Sequence, residues 1–143
     1  LIVSITDNKN RVLGEIRRIL NEFSGKLASS GSVSWLFDEK GKITIENPNF
    51  KMSENLELEL IDNGLENSEI QDNYLVLYCP KEKIEKLREI LDNNNIKNEF
   101  ELVYLAKNPI KIQDDNLSKK LEKMLEEFED QEEIEQVFLN AEF

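Results

Sequence analysis

The first 37 residues restrict what this chain can become more than any other stretch. Leu1-Ile2-Val3-Ser4-Ile5 is short, apolar and β-branched, the composition of a strand. Thr6-Asp7-Asn8 interrupts it. Asp7 or Asn8 suits an N-cap, because a short side-chain oxygen accepts from the free N–H groups of a first helical turn. Val12, Ile16, Leu20 and Phe23 then recur at helical spacing, and Leu13 and Ile19 widen the apolar face. Ser24-Gly25 ends this helix, with Gly25 expected to take the left-handed position that a side chain resists. After a loop over 26–31, Ser32-Val33-Ser34-Trp35-Leu36-Phe37 reads as a second strand. The opening is therefore a β-α-β unit.

Further strands and helices follow. Asp38-Glu39-Lys40-Gly41 carries a turn signal, and Lys42-Ile43-Thr44-Ile45-Glu46 alternates polar and apolar, so a hairpin is expected. Asn47-Pro48-Asn49 breaks the pattern. Ser53 begins a helix carrying Leu56, Leu60 and Ile61, closed by Gly64. Residues 65–73 are loop-like, with Ser68-Glu69-Ile70 a candidate edge strand. Residues 74–78 form a strand, and Pro80 fits the first position of a helix striped by Ile84, Leu87, Ile90 and Leu91. A strand over 100–106 ends at the second break, Asn108-Pro109. Asp114-Asp115 then starts a helix carrying Leu117, Leu121, Met124, Leu125 and Phe128, and residues 134–138 make the last strand.

Joining the outer groups gives β-α-β-β-α-β, the split βαβ order. The expectation is an α+β chain. Residues 1–47 and 110–143 form a discontinuous ferredoxin-like (split βαβ) domain, and 48–109 form a second small α+β domain inserted into it.

Composition narrows the chemistry. Cys79 is the single cysteine and there is no histidine, so within these residues there is no internal disulfide, no histidine-based acid–base catalysis and no Cys/His zinc cluster. Cys79 reads as a strand-end packing residue in a protein of a reducing compartment. The acidic run Glu126-Glu127-Phe128-Glu129-Asp130-Gln131-Glu132-Glu133 lacks the oxygen spacing and glycine of a calcium loop and reads as the solvated side of a helix. No catalytic residue, metal ligand or cofactor is expected. No apolar run approaches the roughly 20 residues that span a bilayer, so no membrane is expected as a partner.

The net charge of −12 is unevenly spread: residues 1–42 carry +2 and the remainder −14. A phosphate backbone is repelled by the chain as a whole, so cations that meet one belong to the first segment. The candidates are Lys9, Arg11, Arg17, Arg18 and Lys26. Arg11 falls in a first helical turn, where a cation opposes the helix dipole, which hints at a role other than stability. Arg18 has Glu22 four residues on, the spacing of a surface ion pair. Trp35 is either buried under a helix, the commoner fate of tryptophan, or an exposed platform on which a base stacks.

Thr6-Asp7-Asn8-Lys9-Asn10-Arg11, the helix after it, Gly31-Ser32-Val33 and the aromatic Trp35-Leu36-Phe37 together resemble the YebC family, and Val137-Phe138-Leu139-Asn140-Ala141-Glu142-Phe143 is similar to that family's ending. The family includes bacterial proteins named as transcriptional regulators and the mitochondrial translational activator of cytochrome c oxidase subunit I. The resemblance implies a non-enzymatic regulator of gene expression, acting on DNA or on RNA and the ribosome. It implies a location in the cytoplasm, or in the mitochondrial matrix of a eukaryote. It also implies a separate N-terminal helical domain, absent here, that carries most of the nucleic-acid contact. The family-motif residues are Thr6, Asp7, Asn8, Asn10, Arg11, Gly31, Ser32, Val33 and Asn140. Asn140 is expected near the Thr6–Arg11 turn or the adjoining sheet edge. The alternative reading is a ligand-sensing module of ferredoxin-like type, or one that meets a protein partner through its acidic surface.

Overall fold

The computed structural model describes all residues, Leu1–Phe143. In chain order the elements are β1 (Ile2–Ser4), α1 (Lys9–Glu22), β2 (Phe37–Ile45), α2 (Glu54–Asp62), β3 (Asn67–Gln71), β4 (Tyr74–Pro80), α3 (Ile84–Asn93), β5 (Asn98–Ala106), β6 (Ile110–Lys111), α4 (Asp115–Glu129), β7 (Ile134–Val137) and β8 (Ala141–Glu142). The chain is α+β. It divides into an outer unit, Leu1–Asp38 with Leu105–Phe143, and an inner unit, Glu39–Tyr104.

In the outer unit β1 and β7 pair antiparallel, Ile2 opposite Val137 and Val3 opposite Gln136. A second, parallel ladder joins β6 to β8. The apolar stripe of α1 does what its spacing requires. Val12, Ile16 and Ile19 bury with Phe128 of α4, flanked by Ile2, Phe23, Met124 and Ile134. Asp114 caps α4, its carboxylate accepting from Asn116 N at 2.8 Å and Leu117 N at 3.2 Å. The end of α1 departs from expectation. Ser24, at φ 63°, takes the left-handed position, and Gly25 does not. Gly25 N–H donates to Leu20 O at 2.6 Å, and a Cβ there would stand 3.2 Å from that oxygen. Close approach explains this glycine.

The inner unit holds the larger core. Its sheet runs in the order β3-β4-β2-β5. β2 and β3 both pair antiparallel with β4, Ile43 opposite Leu77 and Ser68 opposite Leu77. Glu39 meets Tyr104 at 3.4 Å, Lys42 meets Glu101 at 3.0 Å, and Glu46 N–H donates to Lys97 O at 3.0 Å, so β5 runs antiparallel beside β2. Ile43, Ile45, Leu75, Leu77 and Cys79 bury one sheet face under Leu56 and Leu60 of α2 and Leu87 and Leu91 of α3. Element order β-α-β-β-α-β with this strand order is the split βαβ arrangement. That four-stranded arrangement lies in the inner unit, whereas the pattern had assigned it to the outer one.

The cause is the hairpin expected at 38–41. Phe37–Ile45 is one nine-residue strand, and Gly41 lies within it. A Cβ at Gly41 would come 2.2 Å from Ile84 Cγ1 and 2.6 Å from Ile84 Cδ1. The glycine lets α3 approach the strand, and nothing turns there. The inner unit consequently begins at Glu39 and ends at Tyr104, not at 48 and 109. The chain turns instead at Asp72-Asn73, both left-handed at φ 49° and 71°, a two-residue connection between β3 and β4. Pro80 closes β4 and precedes a short 3-10 turn, Lys81–Lys83, so α3 starts at Ile84. Cys79 is fully buried, as expected of a packing residue, and burial pushes its thiol up to about 11.

Candidate nucleic-acid interface

The Thr6–Arg11 turn is a hydrogen-bonded knot. Asn8 caps α1, its Oδ1 accepting from Arg11 N at 3.2 Å. Thr6 Oγ1 accepts from Asn8 N at 2.9 Å and donates to Glu133 Oε1 at 2.6 Å. Arg11 donates to both oxygens of the same carboxylate, Nε at 3.2 Å and Nη2 at 2.5 Å. Asp7 stands 3.7 Å from the guanidinium. The fork of Arg11 thus fits Glu133 bidentately, the same geometry it would offer a phosphate. The hydrogen bonds from Arg11 and Thr6 hold the Glu133 carboxyl below its ordinary range, and Glu133 in turn raises Arg11. Glu133 was hidden in the acidic run. Its spacing gave no sign that β7 would bring it to α1.

Arg18 is also engaged, by Glu15 at 3.0 Å, Glu22 at 3.2 Å and Glu127 at 3.9 Å. Lys9, Arg17 and Lys26 are exposed and have no carboxylate within 4.0 Å, and Asn10 and Asp7 are exposed beside them. Of the five candidate cations, two are neutralised where they stand.

Gly31-Ser32-Val33 builds a second feature. Gly31 is left-handed at φ 77°, and its carbonyl accepts from Ser34 Oγ at 2.8 Å. The expected strand over 32–37 is a 3-10 turn, Ser34–Leu36, until β2 begins at Phe37. Trp35 is 68% exposed, not buried, and its Nε1–H donates to Ser32 O at 3.0 Å.

Asn140 does not join the Thr6–Arg11 knot. Leu1 and Phe138 exchange backbone hydrogen bonds of 2.7 Å, and Ile5 N–H donates to Glu133 O at 3.1 Å. Asn140 lies two residues past Phe138, with its carbonyl accepting from Ile110 N at 2.7 Å. Asn140 therefore follows the Leu1 end of the β1–β7 ladder, beside the adjoining sheet edge, whereas the Thr6–Arg11 turn follows its Ser4 end.

A sequence profile describing the second and third domain of TACO1/YebC proteins matches residues 1–141. The chain belongs to the TACO1/YebC family. It is 33% identical over 142 residues to a "probable transcriptional regulatory protein" of Kosmotoga olearia, covering 99% of this chain and 56% of that protein. It is 36% identical over 139 residues to one of Fervidobacterium nodosum, covering 97% and 54%, and 33% identical over 141 residues to one of Thermotoga maritima, covering 99% and 55%. The chain therefore spans a little over half the length of these YebC relatives. A conserved hypothetical protein of Aquifex aeolicus, known from a crystal structure, superposes with a TM-score of 0.84 at 28% identity, covering 99% of this chain and 58% of that one. No helix here is long and apolar enough to cross a membrane.

Proposed function

We propose that this chain supplies the acidic pair of domains in a non-enzymatic regulator of gene expression, and that the main nucleic-acid contact is made by family sequence outside the matched portion. The carrying observation is the engagement of Arg11 by Glu133 and of Arg18 by Glu15, Glu22 and Glu127. A phosphate would have to displace a carboxylate already held in bidentate geometry. The field of the chain also opposes a polyanion. The outer unit has ten basic against fifteen acidic residues and the inner unit eight against fifteen. At physiological salt the Debye length of about 8 Å does not hide that charge from a strand laid on the surface. Lys9, Arg17 and Lys26 remain as auxiliary contacts. The relatives' naming supports a role in transcription, and action on RNA or the ribosome is the other branch of the same proposal.

Fluorescence anisotropy over a salt series, on the 143-residue chain and on a full-length relative, tests this. The chain is expected to bind DNA and RNA weakly at physiological salt, and the relative measurably better. Equal affinity, with a steep salt slope for the chain alone, would overturn the assignment.

A further inference from the structure

Acidic residues are dense along this chain, 30 in 143, yet they avoid two stretches. Residues 23–37 contain no Asp or Glu, and neither do residues 102–113; these are the longest such windows in the sequence. The outer unit brings the two together, since Lys107 N–H donates to Leu36 O at 2.9 Å. The two segments carry Lys26 and Lys107, the exposed serines 29, 30 and 32, and Trp35, with Val33, Leu105 and Ile110 exposed among them. Asp38 borders them, 3.6 Å from Lys107 Nζ, and Glu142 lies opposite Lys111.

Trp35 is held rigidly there. The left-handed Gly31, the Ser34 Oγ–Gly31 O bond of 2.8 Å, the Leu36 N–Val33 O bond of 3.1 Å and the Lys107–Leu36 bond fix the turn that carries it. Its one polar atom is satisfied internally by Ser32 O at 3.0 Å. The indole therefore needs no polar partner from outside. The residue is nonetheless 68% exposed.

We propose that Trp35 is a stacking platform for an unpaired base of a single-stranded nucleic acid, with Lys26 and the serines meeting its backbone. The segments that carry Trp35 and Lys107 offer hydroxyls and ammonium groups suited to sugar and phosphate, and have no Asp or Glu of their own. Stacking is also open to a net-acidic chain, because it does not depend on accumulated positive charge. Duplexes bury their base faces and are not ligands for this site. The inference deepens the proposed function by naming a contact within this chain, auxiliary to the main one outside it.

Trp35 is the single tryptophan, so its fluorescence reports this site alone. The 143-residue chain is titrated at low salt with an oligoadenylate, its deoxy counterpart, a duplex of the same length, and AMP. Saturable quenching by the single strands, and none by the duplex, is expected. The ribo and deoxy arms show whether the sugar is read, and saturation by AMP at equal base concentration would overturn the claim that a strand is the ligand. Anisotropy of labelled strands then compares Trp35→Phe, which keeps a ring face, with Trp35→Ala. The alanine variant is expected to lose at least about five-fold in affinity and the phenylalanine variant much less. Circular dichroism verifies that both keep the fold. No quenching by any strand, or binding that ignores Trp35→Ala, overturns the platform. Neither result touches the proposed function, which fails only if the chain equals the full-length relative.

Discussion

The outer and inner units hold themselves together by different means. The inner unit has one four-stranded sheet and a contiguous core of twelve buried residues, Ile43, Leu60, Leu77, Leu87 and Leu91 among the most buried. The outer unit has two two-stranded ladders and four core residues, Val12, Ile16, Ile19 and Phe128. It adds polar fastening at its ladder end, where Thr6 and Arg11 converge on Glu133. A small core leaves each member a larger share of the stability, so the outer unit should open first and respond more to single changes.

The severest test is Phe128→Ala. Removing a fully buried phenylalanine costs about 3–5 kcal/mol. Amide exchange is expected to accelerate through α1 and α4, while the amides of Ile43 and Leu77 keep their protection. The buried Cys79 gives a second readout, since its thiol, pushed up to about 11, should stay unreactive in this variant until the inner unit unfolds. Equal loss of protection in both units would break the comparison.

Gly41→Ala probes the inner unit at its tightest approach. The added methyl meets Ile84 Cγ1 at 2.2 Å, and the core has little room to yield, so a cost of about 1–3 kcal/mol is expected. Thiol labelling of Cys79 should then become faster. An unchanged labelling rate would mean that α3 shifts without penalty and that the inner core is looser than its burial suggests.

The smallest effect concerns pH. Glu133 has its carboxyl held below the ordinary range by Arg11 and Thr6. A depressed acid stabilises the folded state above the unfolded carboxyl pKa of about 4.3, and that contribution is lost as pH falls through the depressed folded value. As pH falls below about 4.3, unfolding of the outer unit should acquire a dependence that Glu133→Gln removes. Because the pair is solvent-exposed the change will be slight. A wild-type profile identical to that of Glu133→Gln would show that the fastening contributes nothing.

What the sequence revealed follows the range of the forces involved. Helix positions were legible, since Val12 to Phe23 and the caps Asn8, Ser53 and Asp114 express interactions within a few residues. Gly41 misled because its reason lies 43 residues away, at Ile84. Reading it as a turn cut β2 in two and moved the split βαβ sheet to the wrong unit. Asp72-Asn73 was a local turn signal passed over in a polar stretch. At the candidate site, the cap at Asn8 was legible, whereas the capture of Arg11 by Glu133 depends on a contact across 122 residues. For Trp35 the sequence favoured burial and the residue is 68% exposed, because whether a ring is covered depends on what the rest of the fold places over it.

The insertion has a consequence for the order of events on the ribosome. The inner unit is one uninterrupted run of sixty-six residues, complete once Tyr104 has emerged from the exit tunnel. Its first and last strands are neighbours, so it closes without waiting for anything downstream. The outer unit begins synthesis first and must finish last, because Ile2 has no partner until Val137 appears. Until Phe128 and Val137 emerge, β1 and the apolar stripe of α1 lack the partners that cover them, and this is the period in which a nascent chain of this design most needs a chaperone.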